Sequence, residues 1–402
     1  MNHSRKQKEM KIFRYISLCF LCFVISGVVT AQSKKSFKAY ETYATGEYYK
    51  AIDEFKDAYQ KTTDKNEKLE IAFHIAESYR KTNNSVQSEL WYRKVLDKNY
   101  ENPLAILYYA DALKMNQKYE EAKVQYKAYK ELVPGDPRGN DGIVSCDLAL
   151  EWMEYPSGYE VEEMKFFNSK FNDYSPAFAS NDYRTIYFTS SRDEGTGKAE
   201  HGGTGQSFSD IFVSVEDRKG KWSTPVPLED PINSEAEEGA ATFTADFNNM
   251  YFTRCGVNKR KAMGCEIFEA VRNGEKWGKV ESIGILSDSL TIAHPAVSPD
   301  GKTLYFVSDI DGSVINSEGV NSKDIWDVEK DQGKWGEPVN LGTEINTPGN
   351  ELFPFVHADG TLYFSSDGHI GMGGFGHIQS KKNDKGQWGC TEHEAPHQFI
   401  FR

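Results

Sequence analysis

The chain has 402 residues, room for two domains of ordinary size, and a formal charge of −13. Setting aside the first 31 residues, five basic and one acidic, leaves 42 Lys+Arg against 59 Asp+Glu, a net −17. So acidic a surface repels phosphate backbones and argues against nucleic acid as a partner. Tyr and Phe far outnumber Trp, a balance that suits sheet surfaces.

Lys11 and Arg14 precede the apolar run I-S-L-C-F-L-C-F-V-I-S-G-V-V-T-A, with Val29 and Ala31 at the small-residue positions of a cleavage site. Residues 1–31 therefore read as an export signal. The run is too short for a membrane span, and nothing similar recurs. Cys19 and Cys22 lie inside it without a small residue just before either, so they read as signal residues rather than lipid attachment points. Four cysteines remain. Cys255 and Cys265 flank G-V-N-K-R-K-A-M-G between two predicted strands; in an oxidising compartment they can bridge the hairpin base, the alternative being two half-buried thiols. No second Cys or His pair stands at ligand spacing, so no metal site is expected.

Residues 36–154 read as helices. Gly46, Tyr48, Ala51, Phe55 and Ala58 fall at the spacing of the second helix of a tetratricopeptide (TPR) repeat. Asn83, Ser88, Tyr92 and Val95 repeat the pattern, as do Gln117, Tyr119, Ala122, Tyr126 and Tyr129. Small residues where helices touch and aromatics in the next groove suit stacked hairpins. A final helix over 138–154 would cap them. Tyr79, Tyr108, Tyr109 and Tyr126 are the candidates for a partner-binding groove.

From residue 159 the period changes to short alternating runs, which indicates strands. Y-S-P-A-F (from Tyr174), G-A-A-T-F (from Gly239), H-P-A-V-S-P-D-G-K-T-L-Y-F (from His294) and F-P-F-V-H-A-D-G-T-L-Y-F (from Phe353) open four similar units. Each continues into a D-I-F-like strand and then G-x-W, at Trp222, Trp277, Trp335 and Trp388. A period near 55 with four short strands per unit is that of propeller blades, here over 159–389. Tyr187, Tyr251, Tyr305 and Tyr363 share one register and are expected to fill the contacts between blades. S-P-D-G-K at Ser298 reads as a strand–turn–strand hairpin. The segment V-E-E-M-K-F-F-N-S-K-F-N-D ahead of the first unit matches P-V-N-L-G-T-E-I-N-T-P-G-N-E, like the outer strand of a closing blade. The expected fold is thus a multidomain α + β chain: a TPR-type α-solenoid followed by an incomplete β-propeller. Two closures stay open: an arc lacking a blade, or a four-blade ring fastened by residues 160–166.

The tail 390–402 loses the pattern. With freely chosen codons, reading one base later turns its last residues into M-K-H-P-I-N-S-S-S, which restores the expected P-I-N-S. A frameshift is therefore expected there, the alternative being a natural extension. Cys390, His393 and His397 carry no chemistry on this reading.

Together these motifs resemble the exported TPR/propeller proteins of the Bacteroidetes, whose propeller is TolB-like and is usually followed by an OmpA-like peptidoglycan-binding domain. One branch links the type IX secretion machinery to peptidoglycan. The resemblance implies a periplasmic scaffold, possible association with the outer membrane through partners, and peptidoglycan contact only through a further C-terminal domain. No nucleophile elbow or metal-ligand helix appears, and no G-K-[ST] follows the Gly-rich segments. No catalytic residue, cofactor or metal is nominated, and the chain is expected not to be an enzyme. His201, His369 and His377 read as solvated loop histidines. The leading expectation is a non-catalytic adaptor that docks protein partners through its TPR groove and propeller face. The alternative is a propeller that binds or hydrolyses a glycan or peptide.

Overall fold

Four of the seven described helices begin at a side-chain cap. The computed structural model describes residues 34–155, 162–256, 264–286 and 290–390. The expected export signal and the residues after Cys390 lie outside these. The described residues fall into two compact units, one ending at Glu101 and the other starting at Asn102. The first holds α1 (Lys34–Ala44), α2 (Tyr48–Lys61), α3 (Lys65–Lys81) and α4 (Ser85–Leu96). The second opens with α5 (Pro103–Met115), α6 (Tyr119–Leu132) and α7 (Pro137–Glu154). Asp64, Asn84, Asn102 and Asp136 accept backbone N–H bonds at the starts of α3, α4, α5 and α7, satisfying donors the helices leave unpaired. Pro103 and Pro137 add a preset φ.

Three helices share one register. Ala51, Phe55 and Ala58 of α2, Ser88, Tyr92 and Val95 of α4, and Ala122, Tyr126 and Tyr129 of α6 are all at most 1% exposed. The chain turns into them through Gly46, Asn83 and Gln117, each in the left-handed region. The buried phenols keep partners: Tyr92 donates to Glu77, Tyr126 to Asp111 and Tyr129 to Asp136. Gly142 of α7 lies where a Cβ would sit 2.4 Å from the Tyr126 ring, so only glycine lets α7 approach α6.

Seventeen strands among the described residues form four sheets. Blade 1 has β1 (Asp173–Phe178), β2 (Thr185–Ser190), β3 (Asp210–Val215) and β4 (Val226–Pro227). Blade 2 has β5 (Glu237–Phe243), β6 (Asn249–Cys255), β7 (Cys265–Asn273) and β8 (Lys276–Ser282). Blade 3 has β9 (Ile292–Val297), β10 (Thr303–Ser308) and β11 (Asp324–Asp331), with β12 (Lys334–Trp335) and β13 (Val339–Asn340) along the edge of β11. Blade 4 has β14 (Glu351–Val356), β15 (Leu362–Ser366), β16 (Gly376–Lys382) and β17 (Trp388–Cys390). All neighbours are antiparallel. The result is α + β: seven described helices and a four-blade propeller arrangement.

The first hairpin of every blade is closed by the same turn. Asp182, Asp246, Asp300 and Asp359 each accept from a Ser, Thr or His two residues earlier and from the backbone N–H two residues later. These bonds, the side-chain bond first, hold all four carboxyls below their ordinary value. The S-P-D-G-K segment is this turn and nothing more.

Blades join through one set of contacts. Trp277 Nε1 donates to the Tyr187 hydroxyl, and Trp335 and Trp388 meet Tyr251 and Tyr305 edge-on. Thr189 and Thr253 accept the N–H of Ala240 and His294 from the next blade. In the connectors that enter blades 2 and 4, Asn233 and Asn346 are buried and mimic a strand. Each side-chain amide donates to the carbonyl, and accepts from the N–H, of Ile211 or Ile325 in the preceding blade.

The seam from blade 4 to blade 1 differs. β5 packs on β1–β3, β9 on β5–β7 and β14 on β9–β11, but β1 has no comparable packing on β14–β16. Tyr363 therefore departs from expectation: it packs on Phe355 of its own blade rather than on a tryptophan of the next. Residues 162–172 do copy the other connectors, since Phe167 and Asn168 N–H bond to Met164 O as Ile345 and Asn346 bond to Gly342 O. Yet Asn168 is exposed and clamps no third strand, so the described part of this segment does not fasten a four-blade ring.

Asn346→Ala, which strips a buried N–H and C=O of their partner, is expected to lower unfolding stability by about 2–4 kcal/mol. Asn168→Ala should change it by less than about 0.5 kcal/mol. Urea melts of the two variants check the contrast.

Candidate functional site

The inner strand of each blade slips register at one place, leaving one residue out of the ladder. That residue is Ser175, Ala240, His294 or Phe353, with φ of 50, 52, 51 and 52°. Left-handed backbone at a side-chain-bearing residue costs about 1–3 kcal/mol each and persists only where the surroundings hold it. Here the hold is visible: the bulge turns the N–H of Ala240 and His294 outward onto a threonine of the preceding blade.

In the third blade Val307 stands where Thr189 and Thr253 stand in the first two, and it has no hydroxyl to offer. The Phe353 N–H turns instead toward His294 Nδ1, 3.4 Å away. The two rings stack face to face, 3.9 Å between centroids and 14° between planes. Tyr174 closes on the other side of Phe353, edge-on at 5.8 Å. Its hydroxyl donates to Ser209 Oγ. The inner strands therefore carry a half-buried aromatic group of three rings, with small Ser175 and Ala240 at the bulge positions of blades 1 and 2.

Burial and, secondarily, Lys323 lower His294 to about 3, so its ring is neutral and Nδ1 can accept. Burial, then Glu237, pushes Tyr174 up to about 12, leaving a neutral phenol. The group offers ring faces, one phenol and one imidazole, all uncharged at neutral pH.

Carboxylates begin three of the four inner strands and are tied down. Asp173 receives Arg192, Ser190 and Ser169. Glu238 receives Arg254 and Ser234. Both arginines lie over a pair of Phe rings and donate to the connector carbonyl, Phe167 O or Ile232 O. Glu351 has only neutral donors, Thr347 and Ser366. Burial drives it up to about 7, with a smaller push from Asp324.

A second pair shows how two substitutions leave a carboxylate short of donors. Asp324 accepts from Ser322, Val314 N–H and Asn340. Its counterpart Asp210 keeps the bond from Thr196 N–H. Phe208 and Pro227 replace Ser322 and Asn340 in that blade, and Asp210 Oδ1 has no partner although the residue is fully buried. Burial raises its pKa.

The residues nominated from sequence lie elsewhere. Tyr79, Tyr108, Tyr109 and Tyr126 are 8, 7, 9 and 1% exposed, inside the helical layers rather than on an open face. Cys255 and Cys265 are joined by a disulfide across the β6–β7 edge. His201 sits near Thr204 Oγ1, and His369 Nε2 lies 2.8 Å from Ile345 O, its pKa lowered by burial. His377 faces solvent on β16. The sequence did carry a hint of the aromatic group. Ser175, His294 and Phe353 each precede a proline at one register, but only tertiary structure brings blades 1, 3 and 4 to a common point.

No family model and no curated protein matches the chain. Among solved structures it is similar to an endo-arabinase from Bacteroides thetaiotaomicron, 12% identical over 55% of this chain and 79% of that one, TM-score 0.35. An α-L-arabinofuranosidase from Lactobacillus brevis is 15% identical over 56% and 78%, TM-score 0.36. A putative TolB from Agrobacterium tumefaciens is 15% identical over 54% and 79%, TM-score 0.30. The expectation that the chain is not an enzyme is withdrawn; glycoside hydrolases stand among these structures, a likeness that speaks to fold alone. The physical fault in that expectation is plain: a propeller assembles its centre from separate blades, so the lack of a contiguous catalytic motif excludes nothing.

Two outcomes test the electrostatics. Glu351 is raised from 4.5 to about 7, so its protonated form adds stability that is complete below pH 4.5 and lost as pH rises through about 7. His294, lowered from 6.5 to about 3, acts oppositely: stability present above pH 6.5 falls as pH drops toward 3. Glu351→Gln should therefore flatten the loss of urea midpoint between pH 5 and 7, while His294→Gln should flatten the loss on acidification below 6.5. Pro227→Asn should give Asp210 the donor that Asn340 gives Asp324 and raise stability by about 0.5–1.5 kcal/mol, read from the same melts.

Proposed function

We propose that the propeller binds a glycan through the aromatic group at its centre, in the cell envelope, while the helical half docks protein partners. The observation that carries this is the Tyr174–Phe353–His294 group, held by strained backbone at the convergence of the inner strands. Half-buried rings present flat apolar faces beside hydrogen-bonding tips, which is the make-up of a site that orients a polar ligand. A pyranose has that same division, with a C–H face and a hydroxyl rim. Ser175 and Ala240 put little side-chain bulk at the bulge positions of blades 1 and 2. Periplasmic location follows the export signal over residues 1–31. The TPR/propeller resemblance supports the helical half as a TPR-type solenoid and, in a chain that continues into an OmpA-like domain, a tether to peptidoglycan.

A specific feature of α4 favours partner docking by the helices. Val86 and Leu90, one turn apart, are 66 and 47% exposed. Leu90 also lines a shallow cleft with Trp91, Arg93, Lys94 and Asp97. An exposed apolar pair beside a cation–aromatic contact (Lys94 over Trp91) suits an amphipathic partner helix.

Titration calorimetry with peptidoglycan fragments and plant-type oligosaccharides is the test. Phe353→Ala should weaken binding about 3–10-fold, the worth of one ring contact, with the fold intact by circular dichroism. Binding of no glycan, or binding unchanged in that variant, would sink the assignment. Release of reducing sugar in the same mixtures would assign hydrolysis to the same centre.

A further inference from the structure

Blade 1 lacks on one side what blades 2, 3 and 4 each have. Trp277, Trp335 and Trp388 all meet a tyrosine of the preceding blade, whereas Trp222 packs on Phe167 of the connector. Asn168 holds the backbone geometry of Asn346 without a strand to clamp. Ser175 stands at the register where Ala240 and His294 give their N–H to a threonine hydroxyl of the preceding blade. Around these lie Met164, Phe166 and Phe178, which are 54, 48 and 47% exposed.

Blade 4 presents the reverse set. Tyr363 matches Tyr187, Tyr251 and Tyr305; Ser365 stands at the register of Thr189 and Thr253; His377 stands at that of Ile211 and Ile325. Phe355 beside them is 56% exposed. One face thus carries the tyrosine and hydroxyl that the other face is shaped to receive. Among the described residues of one chain, Tyr174 of blade 1 and Phe353 of blade 4 meet at the centre.

We infer that this chain pairs with a second copy of itself, blade 4 of each copy packing on blade 1 and residues 162–172 of the other. Reciprocal exchange of the two faces gives a closed two-fold assembly with no face left over. Each contact would repeat one already made inside the chain, so its chemistry is known: tyrosine on Trp222, Ser365 hydroxyl on Ser175 N–H, and the Asn168 amide on the His377 backbone. A second copy covers the exposed Met164, Phe166, Phe178 and Phe355. It also occupies the side of β1 turned away from β5.

The test uses the full chain with Ser175→Cys and Ser365→Cys together, oxidised and run without reductant. Thr189→Cys with Ala240→Cys serves as the in-chain reference, because that pair is already in contact. Light scattering over a concentration series measures the mass of the unmodified protein. The expected result is a dimer by light scattering and a cross-link between chains for the 175/365 pair. Asn168→Asp, exposed and so harmless to the fold of one copy, should weaken dimerisation about tenfold or more. A monomer at every concentration would overturn the inference. So would a 175/365 cross-link formed within single chains, which would show the blades closing on themselves.

Discussion

The propeller half depends on one constraint: a blade's flat sheet must bury its face against the next blade, and backbone polar groups at that seam must still find partners. The chain meets both demands with the same few residues each time. A tyrosine on the second strand of one blade meets a tryptophan on the outer strand of the next. A hydroxyl two residues along takes the N–H that the inner bulge turns outward. An asparagine in two of the connectors replaces the missing neighbour strand with its side-chain amide. The apolar clusters follow these seams: Tyr187, Ile211 and Ile232 pack with Met250 and Phe252, and Tyr305, Ile325 and Ile345 pack with Leu362 and Phe364. Most of the stabilisation comes from that burial, while the polar contacts fix register, since a slip of one residue would turn every buried face outward.

Departures from the repeat are where the centre gains its character. Val307 in place of a threonine hands the Phe353 N–H to His294, and the imidazole then lies flat on the phenyl ring. Phe208, where blade 3 has Ser322, leaves Asp210 Oδ1 without the donor that Asp324 Oδ1 has. Ile292 stands where Asp173, Glu238 and Glu351 begin the other inner strands. Each change is local, and each alters the chemistry presented where four strands converge.

The helical half shows a different balance. Its three-fold burial pattern needs only spacing: residues three or four apart share a face. Ala51, Phe55 and Ala58 are therefore recognisable as core from their spacing alone, as are their counterparts in α4 and α6. The four tyrosines nominated as groove residues lie on helix faces that the neighbouring helices cover. Their spacing is helical, as expected, but which face a helix turns to its neighbours is a property of the stack.

What the sequence determined by itself was therefore everything set by short range. Helix and strand periods, cap residues, the Asp-closed hairpin turn, the fourfold order of strands and the kinship of residues 162–172 with the later connectors are all properties of a few neighbouring residues. Their physics acts over one or two turns of chain. Tertiary structure alone decided which blades meet. It placed Tyr174, His294 and Phe353 together across sequence gaps of 59 residues or more. It left Tyr363 packed on its own blade and Asn168 exposed, though both carry the same motifs as residues that are buried. A motif specifies what a residue can bond to; only the arrangement of distant segments determines whether that partner arrives.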